Sequence, residues 1–150
     1  MRKPKKIAFS TIACMVFAGV ALGHSGATGV VKERMDSMTA LATSMKSLAT
    51  MAKSGVVDPV NVSAISQDLI AHSGQSMLDR FPEGTLPDVS EASPAIWQDW
   101  DGFRDLAFDL EALAVELDEH ASSPDLALQR YVKDIGSVCG ACHEDFRVKK

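Results

Sequence analysis

Residues 96–117 read IWQDWDGFRDLAFDLEALAVEL, and this stretch decides the fold. Its apolar side chains recur at intervals of three and four residues, which places them on one face of a helix. The spacing is heptad-like through six steps, as in a helix that packs along the seam of an antiparallel bundle. The residues of this seam are Ile96, Trp100, Phe103, Ala107, Leu110, Ala114 and Leu117.

Three further segments carry a helical pattern, and no stretch alternates like a β-strand. The first of them ends before Gly55. The other helices begin after an N-cap residue followed by proline, a typical start signal. These start signals are Asp58-Pro59, Ser93-Pro94 and Ser123-Pro124. Amphipathic helices joined by short turns predict an all-α protein, an antiparallel four-helix bundle with up-down-up-down topology.

The same spacing predicts the inner faces of the first and last helices. On the first helix the apolar positions are Val31, Met35, Met38, Leu41, Met45, Leu48 and Ala52. On the last helix they are Leu128, Tyr131, Ile135, Val138, Cys142 and Phe146. The segment 81–93, with two prolines and a glycine near its start, is predicted to be a loop.

The first 23 residues are predicted to be a signal peptide, so that the domain begins at His24. Four basic residues between positions 2 and 6 precede an uncharged apolar run, and Ala21-Leu22-Gly23 supplies the small residues of a cleavage site. The run is shorter than the ~20 residues that a spanning helix needs. Two alternatives stay open: a lipoprotein that uses Cys14, and an uncleaved anchor. The predicted domains are the signal peptide, 1–23, and one four-helix domain, 24–150.

Composition describes a soluble globular chain. It has 150 residues, of which 46% are hydrophobic and 23% charged, enough for one core. The formal net charge of −5 becomes −9 when the four basic residues of the signal peptide are removed. A protein with this negative charge repels nucleic acid and anionic lipid, so we expect neither as a partner. We also expect no stable membrane association after the signal peptide is cleaved.

The cysteines carry the chemistry. Residues 139–143 read CGACH, the C-x-x-C-H signature of covalent haem attachment. Cysteines three residues apart share one helical face, and His143 follows directly as a ligand for the iron. The sequence therefore predicts one covalently attached haem c, bound through Cys139 and Cys142, with His143 as axial ligand.

Three alternative roles for the two cysteines fit the sequence less well. A thiol–disulfide oxidoreductase places C-x-x-C at a helix start after a strand, whereas this pair lies near the end of a helical chain. A structural zinc site needs four donors, and His24, His72 and His120 lack finger-like spacing. A disulfide between residues three apart inside a helix is strained.

With these motifs the chain resembles the class II cytochromes c, the cytochrome c′ family with its low-spin relatives. The motifs that carry the resemblance are Arg34-x-x-x-Met38, Phe81-Pro82-x-Gly84, Pro94-x-Ile96-Trp97 and Cys139-x-x-Cys142-His143-x-x-Phe146-Arg147. The resemblance covers essentially residues 24–150 and implies a four-helix bundle with the haem motif on the last helix. Gly140 departs from it, since many relatives have lysine there.

The resemblance also implies roles for three further residues. Met38 occupies the distal position, where it either binds iron or lines an open site, and Met35 is the adjacent candidate. Arg34 resembles the arginine that pairs with a haem propionate, with a solvated surface arginine as the alternative. Arg147 resembles a residue that flanks the proximal side, where its charge favours reduced iron, with a dipole-stabilising helix end as the alternative.

Two functions follow. The first is one-electron transfer in the periplasm, with His143 and Met38 as axial ligands and a redox protein as partner. The alternative is a five-coordinate cytochrome c′ that binds nitric oxide or carbon monoxide at an open distal site. We expect no enzymatic activity, because the first helix offers no distal acid–base residue.

The acidic third helix is either a solvated face or a surface for a basic redox partner. A homodimer through the first two helices is permitted, and the sequence does not decide it.

Overall fold

Four long helices form the bundle in the computed structural model, which describes residues 27–86 and 90–149. They are α1 (Gly29–Ser54), α2 (Pro59–Ala71), α5 (Trp100–Glu119) and α6 (Leu128–Phe146). Two short helices lie between α2 and α5, namely α3 (Gly74–Leu78) and α4 (Ala95–Gln98). α1 packs on α2 and α6, and α5 packs on the same two helices. The predicted all-α four-helix bundle is confirmed. The predicted signal peptide, 1–23, lies outside the described residues.

The turn between α1 and α2 follows the sequence signals. Gly55 ends α1 in the left-handed conformation, with φ 71°, and its amide donates to Met51 O. Asp58 caps α2, because its side chain accepts from the amide of Val60, and Pro59 occupies the first helical position. The sequence predicted this turn correctly, because each capping group contacts a residue only a few positions away along the chain.

The other helix starts differ from the prediction. The pattern of the second helix breaks at His72, and Gly74, with φ 51°, begins the separate helix α3. Ser93-Pro94 starts only the short α4, while Asp99 caps α5 by accepting from the amide of Gly102. Ser123-Pro124 lies in a turn, and α6 begins at Leu128. An N-cap residue followed by proline therefore marked the turns correctly. For α5 and α6, however, it placed the start of the helix too early.

The core lies between α1, α2, α5 and α6, as the seam of α5 predicted. Six of the seven seam residues are buried, and the exception is Trp100, which is 36% exposed. On α6 the residues Leu128, Tyr131, Ile135 and Phe146 are buried, whereas Val138 and Cys142 are half-buried. The interpretation of Trp100 as a core anchor is wrong, because it lies in the first turn of α5, at the end of the bundle.

The inner face of α1 is more polar than predicted. Val31, Leu41 and Leu48 are buried as expected, and the predicted methionines are half-buried. Three polar side chains share the buried face, namely Arg34, Ser37 and Ser44. The apolar spacing could not reveal them, because it scores only hydrophobic positions.

The described helices include none that is both long enough and apolar enough to cross a membrane.

Substituting Gly74→Ala is expected to lower the free energy of unfolding by about 1–3 kcal/mol, because the position has a positive φ and the added Cβ would meet the carboxylate of Glu111. Gly136→Ala is the matched control, since its Cβ would enter open space on α6. It is expected to raise the free energy of unfolding by about 0.5–1 kcal/mol. Urea unfolding followed by circular dichroism measures both, and equal stability of the two variants would contradict this role of Gly74.

Candidate functional site

Both cysteines of the C-x-x-C-H motif lie on α6 and face the bundle core. Cys139 and Cys142 are half-buried, carry free thiols and pack against the core cluster. His143 follows at the next position and is exposed. The helical geometry thus presents two thiols on one face with an imidazole beside them, as the motif predicted.

The two thiols are protonated at neutral pH. Burial raises the pKa of Cys139, and burial, Cys139 and Asp145 together raise the pKa of Cys142 to about 11. Both lie in the second half of α6, away from the positive helix end that stabilises a thiolate. These properties argue against a thiol–disulfide oxidoreductase. Residues 27–86 and 90–149 also contain no group of three or more His, Cys, Asp or Glu that could hold a metal ion.

His143 favours its neutral form. Partial desolvation of the ring lowers its pKa although the residue as a whole is exposed, Arg147 lowers it further, and Glu91 opposes the shift. Neutral imidazole is the form that binds a metal ion. The environment of His143 therefore suits an axial ligand.

Met38 faces the same core as the two cysteines. It is half-buried on α1, which packs directly on α6, and its side chain contacts the core cluster that Cys139 and Cys142 also contact. Among the described residues, Met35 is not one of the side chains packed against this cluster. The fold thus brings the predicted distal position and the predicted attachment positions to one interior from two helices.

Arg34 is buried, so the alternative of a solvated surface arginine is wrong. Its side chain is 3% exposed, and burial lowers the pKa of its guanidinium. Nε donates to Arg80 O at 3.0 Å, and Nη1 donates to Thr85 O at 3.1 Å and to Ser90 Oγ at 3.3 Å. Nη2 donates to Thr85 Oγ1 at 2.8 Å, and the guanidinium stacks over the ring of Phe81 at 4.2 Å.

These partners of Arg34 are carbonyls, hydroxyls and an aromatic ring. Buried cations are ordinarily compensated by an anion, because desolvation of an unpaired charge is costly. The described residues supply Arg34 with no carboxylate within ion-pair distance, and residues 87–89 lie outside the described part of the chain. An anionic group from a cofactor would complete this environment.

Arg147 ends α6 and pairs with a residue that the sequence analysis missed. Its guanidinium donates to the carboxylate of Glu91, with Nε at 2.8 Å from Oε2. The backbone joins the same two segments, because the amide of Val148 donates to Glu91 O at 2.8 Å and that of Ser93 to Phe146 O at 2.9 Å. No local pattern marks Glu91, since its partner is far along the chain.

The two predicted site arginines therefore anchor the same connection between α3 and α4. Arg34 binds residues 80, 85 and 90 of it, and Arg147 binds residue 91. Beside Arg147 lies a shallow depression of about 410 Å³, lined by Gly140, His143, Glu144, Arg147, Val148 and Lys149. The exposed side of His143 opens into this depression.

His72 has its own polar partners between α1 and α2. Its Nδ1 lies 3.1 Å from Ser37 Oγ, and its Nε2 lies 3.7 Å from the carboxylate of Asp68. Asp68 in turn accepts from Ser44 Oγ at 2.5 Å. These contacts explain the buried serines of α1, and they give His72 a packing role.

Comparison with known proteins decides the family. The sequence profile described as Cytochrome C′ matches residues 29–147, which is most of the chain. The chain belongs to the cytochrome c′ family.

Relatives of this cytochrome support the assignment over nearly their whole length. This chain is 35% identical over 127 residues to a cytochrome c′ from Cereibacter sphaeroides, and the match covers 81% of this chain and 84% of the relative. It is 29% identical over 140 residues to cytochrome c-556 from Agrobacterium fabrum, covering 92% and 94%. Among solved structures, a nitric oxide complex of a mutant cytochrome c′ from Alcaligenes xylosoxidans is 28% identical with a TM-score of 0.70, covering 81% and 94%.

The cytochrome c′ fold and cofactor follow from this membership. The protein is a haem c-type cytochrome, and its cofactor is one covalently attached haem c. The residues present fit that group: two neutral thiols on one helical face, an adjacent neutral imidazole, a thioether on the facing helix and a buried cation with neutral partners. The described chain thus holds each type of contact that a covalent haem requires.

Replacing Arg34→Met is expected to lower the free energy of unfolding by about 2–4 kcal/mol, because the carbonyls of Arg80 and Thr85, both in half-buried residues, lose their donors. Arg104→Met is the matched control, since Arg104 forms only exposed pairs with Asp101 and Asp105. It should change stability by less than about 1 kcal/mol. Urea titrations of the haem-loaded proteins compare the two variants. An Arg34 variant no less stable than the Arg104 variant would contradict the stabilising role of the Arg34 hydrogen bonds.

Proposed function

We propose that this cytochrome transfers single electrons in the periplasm, with His143 and Met38 as the axial ligands of its haem. The observation that carries the proposal is the packing of Met38, from α1, against the core that Cys139 and Cys142 contact from α6. A thioether is a suitable sixth ligand and raises the reduction potential of His-ligated haem. The haem iron, when bound, supplies the ferric–ferrous couple.

Cys139 and Cys142 attach the haem in this proposal. Each thiol adds across one vinyl group, so that a sulfur–carbon bond forms, the thiol hydrogen passes to the other vinyl carbon, and nothing leaves. The raised pKa of both thiols keeps that hydrogen in place at neutral pH. Two bonds to one rigid helix then fix the position of His143 relative to the ring.

The two arginines have electrostatic roles in the proposal. Arg34 supplies its buried positive charge to a haem propionate, since four of its donor contacts are to neutral groups. Arg147 flanks the side of His143 and favours the reduced state, while the carboxylate of Glu91 offsets part of that charge. The local field at His143 is therefore that of an ion pair.

Electron transfer needs no proton donor at the distal side, and we propose no catalytic residue. Met38 fills the sixth position and excludes a substrate from the iron, so that the chain orients the cofactor and limits rearrangement between oxidation states. The signal peptide, 1–23, exports the chain to the periplasm, where a redox protein is its partner. Pairing of two copies through α1 and α2 stays a prediction.

A second function is supported by one comparison. The solved relative from Alcaligenes xylosoxidans is described as a nitric oxide complex, at 28% identity. If Met38 only lines the distal side, the same fold would bind nitric oxide or carbon monoxide at an open position. The two functions differ in one property, the presence of a sixth protein ligand.

Absorption spectra of the ferric and dithionite-reduced protein, before and after carbon monoxide, test which function holds. Ligation by Met38 predicts sharp, split reduced bands that carbon monoxide leaves unchanged. Met38→Ala should then give a broad high-spin reduced spectrum that sharpens with carbon monoxide, while Met45→Ala on the same helix should behave as the original chain. Carbon monoxide binding by the unaltered protein would reject electron transfer through a saturated iron and support the gas-binding function.

Covalent attachment is tested with the double variant Cys139→Ala, Cys142→Ala. Without either thiol no thioether forms, so acid–acetone extraction should remove essentially all haem, whereas His143→Ala should keep it bound covalently. Cys14→Ala is the matched cysteine control and should retain haem, because Cys14 lies in the predicted signal peptide. Pyridine haemochrome spectra of the protein pellet and of the acetone extract measure how much haem remains bound and how much is removed. Haem retained by the double variant would defeat the proposed site.

A further inference from the structure

An aromatic depression lies where the loop after α3 meets the start of α5. Its volume is about 440 Å³, and its aromatic lining consists of Phe81, Trp97 and Trp100. Trp97 is fixed, because its indole N–H donates to Phe81 O at 3.0 Å. Trp100 is 36% exposed, so part of its aromatic ring system meets solvent here.

The rim of this depression is acidic. Asp79 and Glu83 line it and are exposed, and none of the described residues that line it is basic. The nearest cations along the chain are not among its lining residues: Arg80 donates to Ser76, and Arg104 lies between two aspartates of α5. The surface is therefore negative around an aromatic centre.

Ring contacts connect this surface with the helix end that carries the haem motif. The ring of Trp100 lies 5.7 Å from that of Phe103, and Phe103 lies 5.4 Å from Phe146. Phe146 is on α6, three residues after His143. The exposed indole is thus two ring contacts from the last turn of that helix.

We propose that this surface, the acidic aromatic patch of Asp79, Glu83, Trp97 and Trp100, is the docking site for a basic redox protein. The proposal rests on the electron-transfer function. Aromatic side chains enriched at the centre and polar groups at the rim are typical of protein interfaces. Lysine side chains of such a partner complement the carboxylates and can lie over an indole face. One electron passes between the partner's redox centre and the haem iron, without transfer of a proton or group.

The remaining acidic surface of α5 fits a partner less well. Arg104 pairs with Asp101 and Asp105, and Glu116 accepts from Arg130 and Tyr131. Three carboxylates of α5 are thus paired with an arginine, which offsets part of the negative charge of the helix. The patch is small, which fits the weak, short-lived complexes typical of electron transfer. A basic partner is one of two alternatives for the acidic third helix, and we place it instead at the patch beside the start of α5.

Small oxidants of opposite charge test the charge of the patch. The reduced holoprotein is mixed in a stopped-flow instrument with tris(phenanthroline)cobalt(III) or with ferricyanide at low ionic strength. Asp79→Asn, Glu83→Gln should slow oxidation by the cation ~3-fold and speed oxidation by the anion, and salt should abolish both effects. Glu119→Gln, Asp125→Asn removes the same charge at the C-terminal end of α5 and in the turn that follows, and it should change neither rate.

A basic class I cytochrome c serves as the protein probe for docking. Trp100→Ala should lower its second-order rate of electron exchange ~10-fold, as expected for an interface centre, and leave the rate with the cobalt complex within about twofold. Trp100→Phe should retain most of the rate. Circular dichroism checks that each variant is folded. An equal rate for Trp100→Ala with the protein probe would overturn docking at the patch.

Binding is measured without electron transfer by nitrogen-15 NMR of the ferrous protein. The chain has two tryptophans, so the two indole signals report the patch alone. Tetralysine should shift both signals in the original protein and in the Glu119, Asp125 variant, and far less in the Asp79, Glu83 variant. Indole signals unmoved by tetralysine would overturn the patch. Redox exchange with neither oxidant would overturn the electron-transfer function itself, and docking with it.

Discussion

The packing around the ring of Phe103 holds the functional end of the bundle together. This ring is 2% exposed and has edge contacts with Phe81 at 4.8 Å and with Phe146 at 5.4 Å. It therefore joins α5 to the last turn of α6 and to the start of the loop after α3. The guanidinium of Arg34 stacks on the ring of Phe81 and so connects α1 to the same aromatic cluster. Buried aromatic pairs of this kind contribute more than their buried area alone.

Three arginines illustrate how burial decides the importance of a charge. Arg104 and Arg147 form exposed ion pairs, which contribute little to folding because water and salt screen them. Arg34 is buried, and its hydrogen bonds satisfy the carbonyls of Arg80 and Thr85 in the loop after α3. The loop over this end of the bundle thus depends mainly on one side chain from α1, supported by the backbone bonds between residues 91–93 and 146–148.

Local and periodic features were predictable from the sequence, and contacts between distant segments were not. The seam of α5 from Phe103 to Leu117, the cap at Asp58 and the terminating Gly55 follow from local spacing or local contacts, and all three are confirmed. The start of α6 was misplaced by four residues, because the Ser-Pro signal also fits a turn. The pair of Glu91 and Arg147, the polar face of α1 and the exposure of Trp100 depend on the assembled bundle.

The half-burial of Cys139 and Cys142 bears on the order of events during maturation. Their thiols rest against a core shared by α1 and α5, so on the proposed chemistry a flat macrocycle reaches both only while α6 is undocked. Attachment and closure of the bundle are then competing steps. A substitution that speeds docking of α6 would lower the yield of holoprotein even where it raises stability. Selection on this chain would therefore act on the rate of closure as well as on the final fold.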